Sequence, residues 1–135
     1  MDADKCRALK AQLAAQPQPP LVTIERFFEG NDDPGSIGCN LLPHPGVDVF
    51  RDVLVGLLRR PDVAAVYAQI TELDPGGDIW PFTDTIAVVG TISAAELRRA
   101  VEPLQPDEVG PAAQMGISPV LGDTHRTPVL GVWWD

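Results

Sequence analysis

Six apolar residues at helical spacing make residues 44–62 the most strongly patterned segment of the chain. Pro45 suits the first turn of the predicted helix, and Pro61 ends it. Asp48 lies toward the positive N-terminal end of the helix, where a carboxylate is favoured. The stripe that would face the core contains Val47, Phe50, Val53, Leu54, Leu57 and Leu58. We therefore expect a long amphipathic helix in this segment.

Two further segments with weaker periodicity also predict helices. Residues 93–104 open with a capping box, in which Ser93 accepts from the amide of Glu96 and Glu96 reaches back to Ser93. Residues 3–15 are rich in helix formers but have a thin apolar stripe, so this helix needs a surface to pack on. That stripe contains Cys6, Leu9 and Leu13.

Alternating apolar and polar positions predict strands at residues 63–73 and 84–92. We expect these two strands to pair as an antiparallel hairpin with a long connection. Residues 127–135 have the composition of a short terminal strand. Residues 21–28 begin with β-branched side chains and are interpreted as a strand, although Thr23 is also a suitable cap for a short helix.

This order of elements, one helix followed by β-α-β-β-α-β, predicts an α+β protein. The order is that of a ferredoxin-like split βαββαβ unit, an antiparallel sheet with two helices on one face. The other face is then solvated, or covered by the N-terminal helix or by a partner. We divide the chain into an N-terminal helical arm (1–16), a proline-rich connector (17–20) and a single α+β domain (21–135). Residues 103–128 are too weakly patterned to assign.

Charge is distributed unevenly along the 135 residues, whose formal net charge is −9. Residues 1–16 carry a net charge of +1, and residues 17–135 carry −10. An acidic body argues against nucleic acid and anionic membranes as partners, because binding phosphate requires lysine and arginine. The charge serves solubility, or it forms a surface that meets a basic protein partner. No apolar run is long enough to predict a membrane-spanning helix.

The two cysteines, Cys6 and Cys39, lie far apart and outside any C-x-x-C motif. Basic and polar residues interrupt the N-terminal segment where the apolar region of a secretion signal would lie. We therefore expect both thiols to be reduced and the protein to be cytoplasmic.

The segment FFEGNDDPGSIGCN, residues 27–40, combines acids, asparagines, glycines and one cysteine. Its carboxylates do not follow the EF-hand spacing, and Cys39 with His44 gives two ligands where zinc needs three or four. Because Cys39 also lacks a convincing base, we expect no metal, no cofactor and no catalytic residue. We interpret the segment as a structured loop with tight turns, and as the first place to look for a binding surface. The candidate binding residues there are Asn31, Asp32, Asp33 and Asn40.

The tryptophans supply the remaining binding candidates. Trp80 lies beside Pro81 in the loop of the predicted hairpin. Trp133 and Trp134 are adjacent on the terminal strand, so they point to opposite faces of the sheet. One of them can join the core. We expect the other, with Trp134 as the candidate, to mark an interface unless the N-terminal arm covers it.

Five short strings occur together in this sequence: FFEGNDDPGSIGCNL, HPG, WPFTDTI, LQPDEV and VWWD. In combination they resemble a family of small bacterial proteins that has no assigned function. The resemblance covers most of residues 21–135 and leaves the N-terminal arm uncovered. It implies a bacterial cytosolic protein, and it implies no activity, substrate or catalytic residue.

Two functions fit these observations. The first is a non-enzymatic protein-binding or regulatory module, which forms a homo-oligomer or uses its acidic surface to bind another protein. The missing catalytic residues, the uneven charge and the adjacent C-terminal tryptophans favour it. The alternative is a small enzyme, or a ligand- or metal-binding protein, that uses the loop of residues 27–44.

Overall fold

Five strands form one antiparallel sheet in the computed structural model, which describes residues 2–135. The strands are β1 (Leu21–Thr23), β2 (Val63–Glu72), β3 (Phe82–Gly90), β4 (Glu108–Pro111) and β5 (Val129–Trp133). They lie in the spatial order β1-β2-β3-β5-β4, and every neighbouring pair is antiparallel. The predicted α+β class is confirmed.

The ferredoxin-like topology is not confirmed, because the strand order differs from that of a simple ferredoxin-like fold. Strand β1 lies at one edge, directly beside the strand that follows it in the chain. Strand β4, which the sequence did not reveal, forms the opposite edge and pairs with β5. The predicted antiparallel hairpin is present as β2 and β3.

The helices are α1 (Ala3–Ala14), α2 (Ile24–Phe28), α3 (Val47–Gly56), α4 (Ala94–Ala100) and α5 (Val120–His125). Shorter 3-10 turns occur at Pro34–Ser36, Leu57–Arg59, Glu102–Leu104 and Ala112–Met115. Both interpretations of residues 21–28 hold in part, because a three-residue strand leads directly into α2. Ser93 caps α4 and accepts from the Glu96 amide at 3.1 Å. Each helix within the described part of the chain is too short or too polar to cross a lipid bilayer.

Helices α1 to α4 pack on one face of the sheet and form the larger hydrophobic core with it. Three side chains of α1 lie in this core without exposed surface: Cys6, Leu9 and Leu13. On the outside of the helix, Lys10 Nζ lies 2.9 Å from Asp74 Oδ1. The N-terminal helix therefore docks on its own chain.

A second, smaller cluster lies on the opposite face of the sheet. It joins Ala87 and Val89 of β3 to Ile117 and Leu121. The latter two belong to residues 112–125, which we call the cover segment. We expected this face to be solvated, or covered by the N-terminal helix or a partner, but the cover segment occupies it. The expectation failed because this part of the chain has no periodic pattern.

Two glycines create the depression that admits the cover segment. Gly110 of β4 and Gly131 of β5 are directly paired. A Cβ atom on Gly131 would lie 2.5 Å from Met115 Sδ and 2.7 Å from Ile117 Cδ1. Side chains of the cover segment therefore fill the volume where a side chain of the sheet would otherwise stand.

Gln69 of β2 holds the cover segment through a pair of hydrogen bonds. Its Nε2 donates to the Gly116 carbonyl at 3.0 Å, and its Oε1 accepts from the Ser118 amide at 2.9 Å. Gln69 itself is buried, with 8% of its surface exposed. Tyr67 Oη lies 3.1 Å from His125 Nε2 at the far end of the segment. Side chains of β2 thus hold the cover segment at Gly116 and Ser118, in its first half, and at His125, its last residue.

Replacing Gly131 with valine should lower the free energy of unfolding by about 1–3 kcal/mol, because the new side chain overlaps Met115 and Ile117. Urea denaturation measures the change. Gly122→Ala in α5 is the matched control. Nothing lies within 4 Å of its added Cβ, so alanine should be neutral or stabilise by up to about 1 kcal/mol. Unchanged stability of Gly131→Val would contradict the packing described for the glycine pair.

The ion pair at α1 predicts a loss of stability in acid. A hydrogen bond from Lys10, together with its charge, holds the pKa of Asp74 below its usual range. Because the folded pKa is the lower one, the carboxylate stabilises the fold above about pH 4 and loses this effect as the pH falls through the folded pKa. Asp74→Asn should therefore destabilise the protein near neutral pH and less so at about pH 3.

Urea denaturation at both pH values measures the effect of Asp74→Asn. Asp123→Asn is the control, because this exposed carboxylate forms no ion pair within residues 2–135. It should show no comparable dependence on pH. An effect of Asp74→Asn that is equal at the two pH values is the result that contradicts the prediction.

Candidate functional site

A groove of about 840 Å³ runs between helix α4 and strand β4. One wall is the solvent-facing stripe of α4 and the turn after it, which presents Ala95, Arg98, Arg99 and Glu102 at helical spacing. The other wall is the chain from residue 105 to residue 109. Gln105 adopts a left-handed conformation with φ of 51°, which turns the chain from the helix into β4.

Strand β4, which forms one side of this groove, is an edge strand of the sheet. Its neighbour on one side is β5, and no described strand lies on the other. Arg98 Nη2 donates to the carbonyl oxygen of Val109 at 2.9 Å. A carbonyl at a sheet edge is a group with which a further strand pairs. In this structure a side chain of the same chain occupies it.

The basic side chains of the groove are engaged, whereas two of its acidic side chains are not. Arg99 Nη1 lies 3.2 Å from Glu96 Oε1, and Arg98 is held by the strand carbonyl. Glu102 and Glu108 are exposed and form no ion pair within residues 2–135. Within residues 2–135 as a whole, seven of the protein's ten basic side chains form ion pairs: Lys5, Arg7, Lys10, Arg26, Arg51, Arg60 and Arg99. The formal charge of the groove lining is −1, from Arg98 and Arg99 against Glu102, Asp107 and Glu108.

Sequence reasoning missed Arg98 and Glu102 as site residues. Both lie on the polar face of a helix that the sequence did predict, so the stripe itself was visible. What the sequence did not reveal was β4, the strand that makes this helix face one wall of a groove.

The loop predicted as a binding surface uses most of its polar groups for its own turns. Asn31 is 6% exposed, its Nδ2 lies 3.0 Å from Ser36 Oγ, and its Oδ1 accepts from the Asp33 amide at 2.9 Å. Asp33 Oδ1 accepts from the Gly35 amide at 2.8 Å and caps the 3-10 turn that follows. Asp32 lies at the surface.

The remaining polar groups of the loop do not form a catalytic pair. Asn40 is exposed, and its Nδ2 donates to the carbonyl of the last residue at 3.0 Å. His44 Nε2 lies 2.8 Å from the Ile37 carbonyl and its Nδ1 accepts from the Gly46 amide at 2.9 Å, so a neutral ring satisfies both contacts. Cys39 is exposed and forms no hydrogen bond with His44. Among residues 2–135, no three His, Cys, Asp or Glu side chains are placed to hold a metal ion.

Trp80 and Trp134 are buried, with 0% and 2% of their surfaces exposed. Trp134 Nε1 donates to the Leu104 carbonyl at 2.8 Å, and its ring lies 5.6 Å from that of Phe50. The expected surface role of these two tryptophans is thus replaced by a role in the core. Trp133 points to the other face, where it lies beside the cover segment and stays partly exposed.

Comparison with known proteins gives a family but no activity. The model of the Uncharacterized protein YfbO family matches residues 4–128. An Escherichia coli (strain K12) protein named Uncharacterized protein YfbO is 34% identical over 90 residues, which cover 66% of this chain and 63% of that protein. The match therefore spans less than two thirds of the curated relative. No solved structure matches this chain.

Asn31→Ala should lower the free energy of unfolding by about 1–3 kcal/mol, because it removes buried hydrogen bonds and leaves the Asp33 amide without its acceptor. Urea denaturation measures the loss. Asn40→Ala removes one exposed hydrogen bond and should change stability by less than about 0.5 kcal/mol. Equal stabilities of the two variants would contradict the structural role assigned to Asn31.

Proposed function

Because the chain belongs to the YfbO family, which is described as uncharacterized, we propose a function from its geometry: a non-enzymatic module that binds an extended basic segment of another protein. The binding surface is the groove between α4 and β4. The observation that carries this proposal is the Val109 carbonyl, held by Arg98 at the edge of the sheet beside uncompensated carboxylates. The partner's segment would displace Arg98 and add to the sheet next to β4.

Strand addition suits a groove bounded by an edge strand and a helix. In this mode, main-chain hydrogen bonds supply affinity and the flanking side chains supply specificity. Here the helix wall contributes Glu102 and the strand wall contributes Glu108, both exposed. Lysine or arginine in a bound segment would lie close to these carboxylates, which favours a basic sequence.

The other edge of the sheet is closed more firmly. The Gln16 side chain makes two hydrogen bonds to Leu21 of β1, one to its amide and one to its carbonyl, both at 2.9 Å. At β4 a single side-chain bond occupies the Val109 carbonyl. At β1 the side chain occupies both the amide and the carbonyl of the edge residue, whereas at β4 the Arg98 side chain occupies a carbonyl only, so β4 is the edge we assign to a partner.

Self-association through β4 is the less favoured form of the proposal. A second copy would bring the same uncompensated glutamates together, and like charges placed close together are destabilising. The net charge of −9 adds repulsion between whole molecules. A basic segment of a different protein meets neither obstacle.

The alternative, an enzyme or a ligand- or metal-binding protein that uses the loop of residues 27–44, has weaker support. Asn31 and Asp33 are engaged within the loop, and the His44 ring bridges two backbone groups of it. These bonds would have to break before the same groups could bind a ligand.

Fluorescence anisotropy with a labelled peptide of about ten alternating lysines and valines tests the proposal. It should bind at low salt, whereas a glutamate–valine peptide should not. Glu102→Lys should weaken binding about threefold to tenfold, since one exposed ion pair contributes about 0.2–1 kcal/mol and reversal adds repulsion. Glu72→Lys changes the net charge equally, but it lies outside the groove and should have a smaller effect.

Two further experiments distinguish strand addition from simple charge attraction. Arg98→Ala and Arg99→Ala each remove one positive charge from the groove, but Arg98 alone occupies the edge carbonyl. Arg98→Ala should therefore increase affinity more than Arg99→Ala. A peptide methylated on alternate backbone nitrogens keeps its charge and should bind poorly. Equal gains from the two arginine variants, together with full binding of the methylated peptide, would overturn strand addition.

A further inference from the structure

A bulge in the pairing of β2 with β3 redirects the side chain of Asp84 from the position it would have in a regular strand. In the pairing of β2 with β3, Gln69 lies opposite Thr85 and Ile70 lies opposite Thr83, so Asp84 has no partner residue in β2. Such a bulge bends the strand and redirects the side chain of the extra residue. Thr83 Oγ1 supports the distortion, because it lies 2.7 Å from the Gln69 carbonyl and 2.9 Å from the Thr85 carbonyl.

The Asp84 carboxylate is fixed in place but is used on one side only. Its Oδ1 accepts from Thr71 Oγ1 at 2.8 Å and from Thr85 Oγ1 at 2.7 Å. Its backbone amide donates to Thr71 Oγ1 at 3.1 Å. Within residues 2–135, its Oδ2 forms no hydrogen bond and no basic side chain pairs with it. The Asp84 carboxylate is therefore a charged acceptor in a fixed orientation, and its Oδ2 remains available to accept a hydrogen bond.

This carboxylate lines an open cavity of about 540 Å³ beside residues 115 and 116 of the cover segment. Trp133, which pairs with Thr85 across β3 and β5, provides an aromatic wall, and Met115 and Gly116 provide the side formed by the cover segment. A smaller cavity of about 260 Å³ lies on the Glu108 side of the same tryptophan and also contacts Met115. Glu108 pairs directly with Trp133 across β4 and β5.

We infer that these adjoining cavities bind an aliphatic diamine, with one ammonium group at Asp84 and the second at Glu108. Ammonium groups form charge-assisted hydrogen bonds with carboxylates and are attracted to the face of an indole. The hydrocarbon between them would lie against Trp133 and Met115. Glu108 stands two strands away from Thr85, about 10 Å at the usual strand spacing, so an elongated dication fits better than a compact one.

The groups around this site, the Asp84 carboxylate and the hydroxyls of Thr71 and Thr85, do not suit a calcium ion or an anion. Calcium takes six to eight oxygen ligands, and no group of three or more metal-ligating side chains is placed together in residues 2–135. An anion would meet the negative charge of Asp84 directly. An organic cation is the class that uses both the carboxylate and the indole.

Isothermal titration calorimetry of the full chain with three probes that share a four-carbon chain tests the inference: 1,4-diaminobutane, butylamine and 1-butanol. The diamine should bind most tightly, butylamine more weakly, and butanol not measurably. Asp84→Asn should weaken both amines by about tenfold, the scale of a lost hydrogen bond to a charged group. The amide oxygen of asparagine can still accept from Thr71 and Thr85, so the bulge should persist in this variant.

The remaining variants assign the two ends of the ligand. Glu108→Gln should bring the affinity for the diamine down to that for butylamine while leaving butylamine binding unchanged. Trp133→Leu should weaken both amines, and Asp123→Asn on the exposed side of α5 should change neither. Wild-type affinity for the amines in a folded Asp84→Asn variant would overturn the inference, as would butanol binding as tightly as butylamine. The Asp84 and Trp133 outcomes are independent of the peptide groove, whose walls contain neither residue, whereas Glu108 lines both surfaces.

Discussion

Burial of strand β3 on both faces is the constraint on which the rest of the structure depends. From Ile86 to Gly90 every residue of this strand is buried, so side chains pointing to either face lie away from water. An antiparallel sheet commonly leaves one face solvated, whereas this strand is covered on both faces. The chain must therefore supply two covers. Helices α1 to α4 form the first, and the cover segment of residues 112–125 forms the second.

The second cover is thin, and this determines where the sheet stays accessible. It rests in the depression at Gly110 and Gly131 and is held from β2 by Gln69 and Tyr67. Its 3-10 turn and single short helix do not extend over the whole face, so Trp133 remains partly exposed beside it. The bulge at Asp84 occurs next to this uncovered part of the sheet, where a redirected carboxylate has room to face a cavity.

The parts of the fold that the sequence predicted are those whose signal is local. Alternation in residues 63–73 and 84–92 and the N-cap at Ser93 each arise within a few residues, and all correspond to observed elements. The second half of the predicted capping box is not observed, because the Glu96 carboxylate contacts Arg60 and Arg99 instead. Strand β4 has four residues, including a glycine and a proline, and it becomes a strand only by pairing with β5. A contact such as this, between segments distant in sequence, leaves no periodic trace in either segment.

The same distinction explains the candidate site residues. The tight turns around Asn31 and Asp33 followed from local chemistry, whereas the burial of Trp80 and Trp134 depends on how distant elements pack. The adjacent Trp133 and Trp134 have the same local signal, and only the cover segment on one side and the helices on the other give them different environments. The contact of Arg98 with Val109 likewise requires α4 and β4 to be placed together first.

Glu108 links the two surfaces that these constraints leave open. It belongs to the wall of the α4–β4 groove and also to the cavity beside Trp133. One carboxylate cannot hold a cation of a bound peptide and the second ammonium group of a diamine at the same time without sharing its charge. Under the two proposals, occupation of either surface would weaken binding at the other, and by linkage the weakening would be the same in both directions. A short edge strand would in this way connect a protein partner to a small cation.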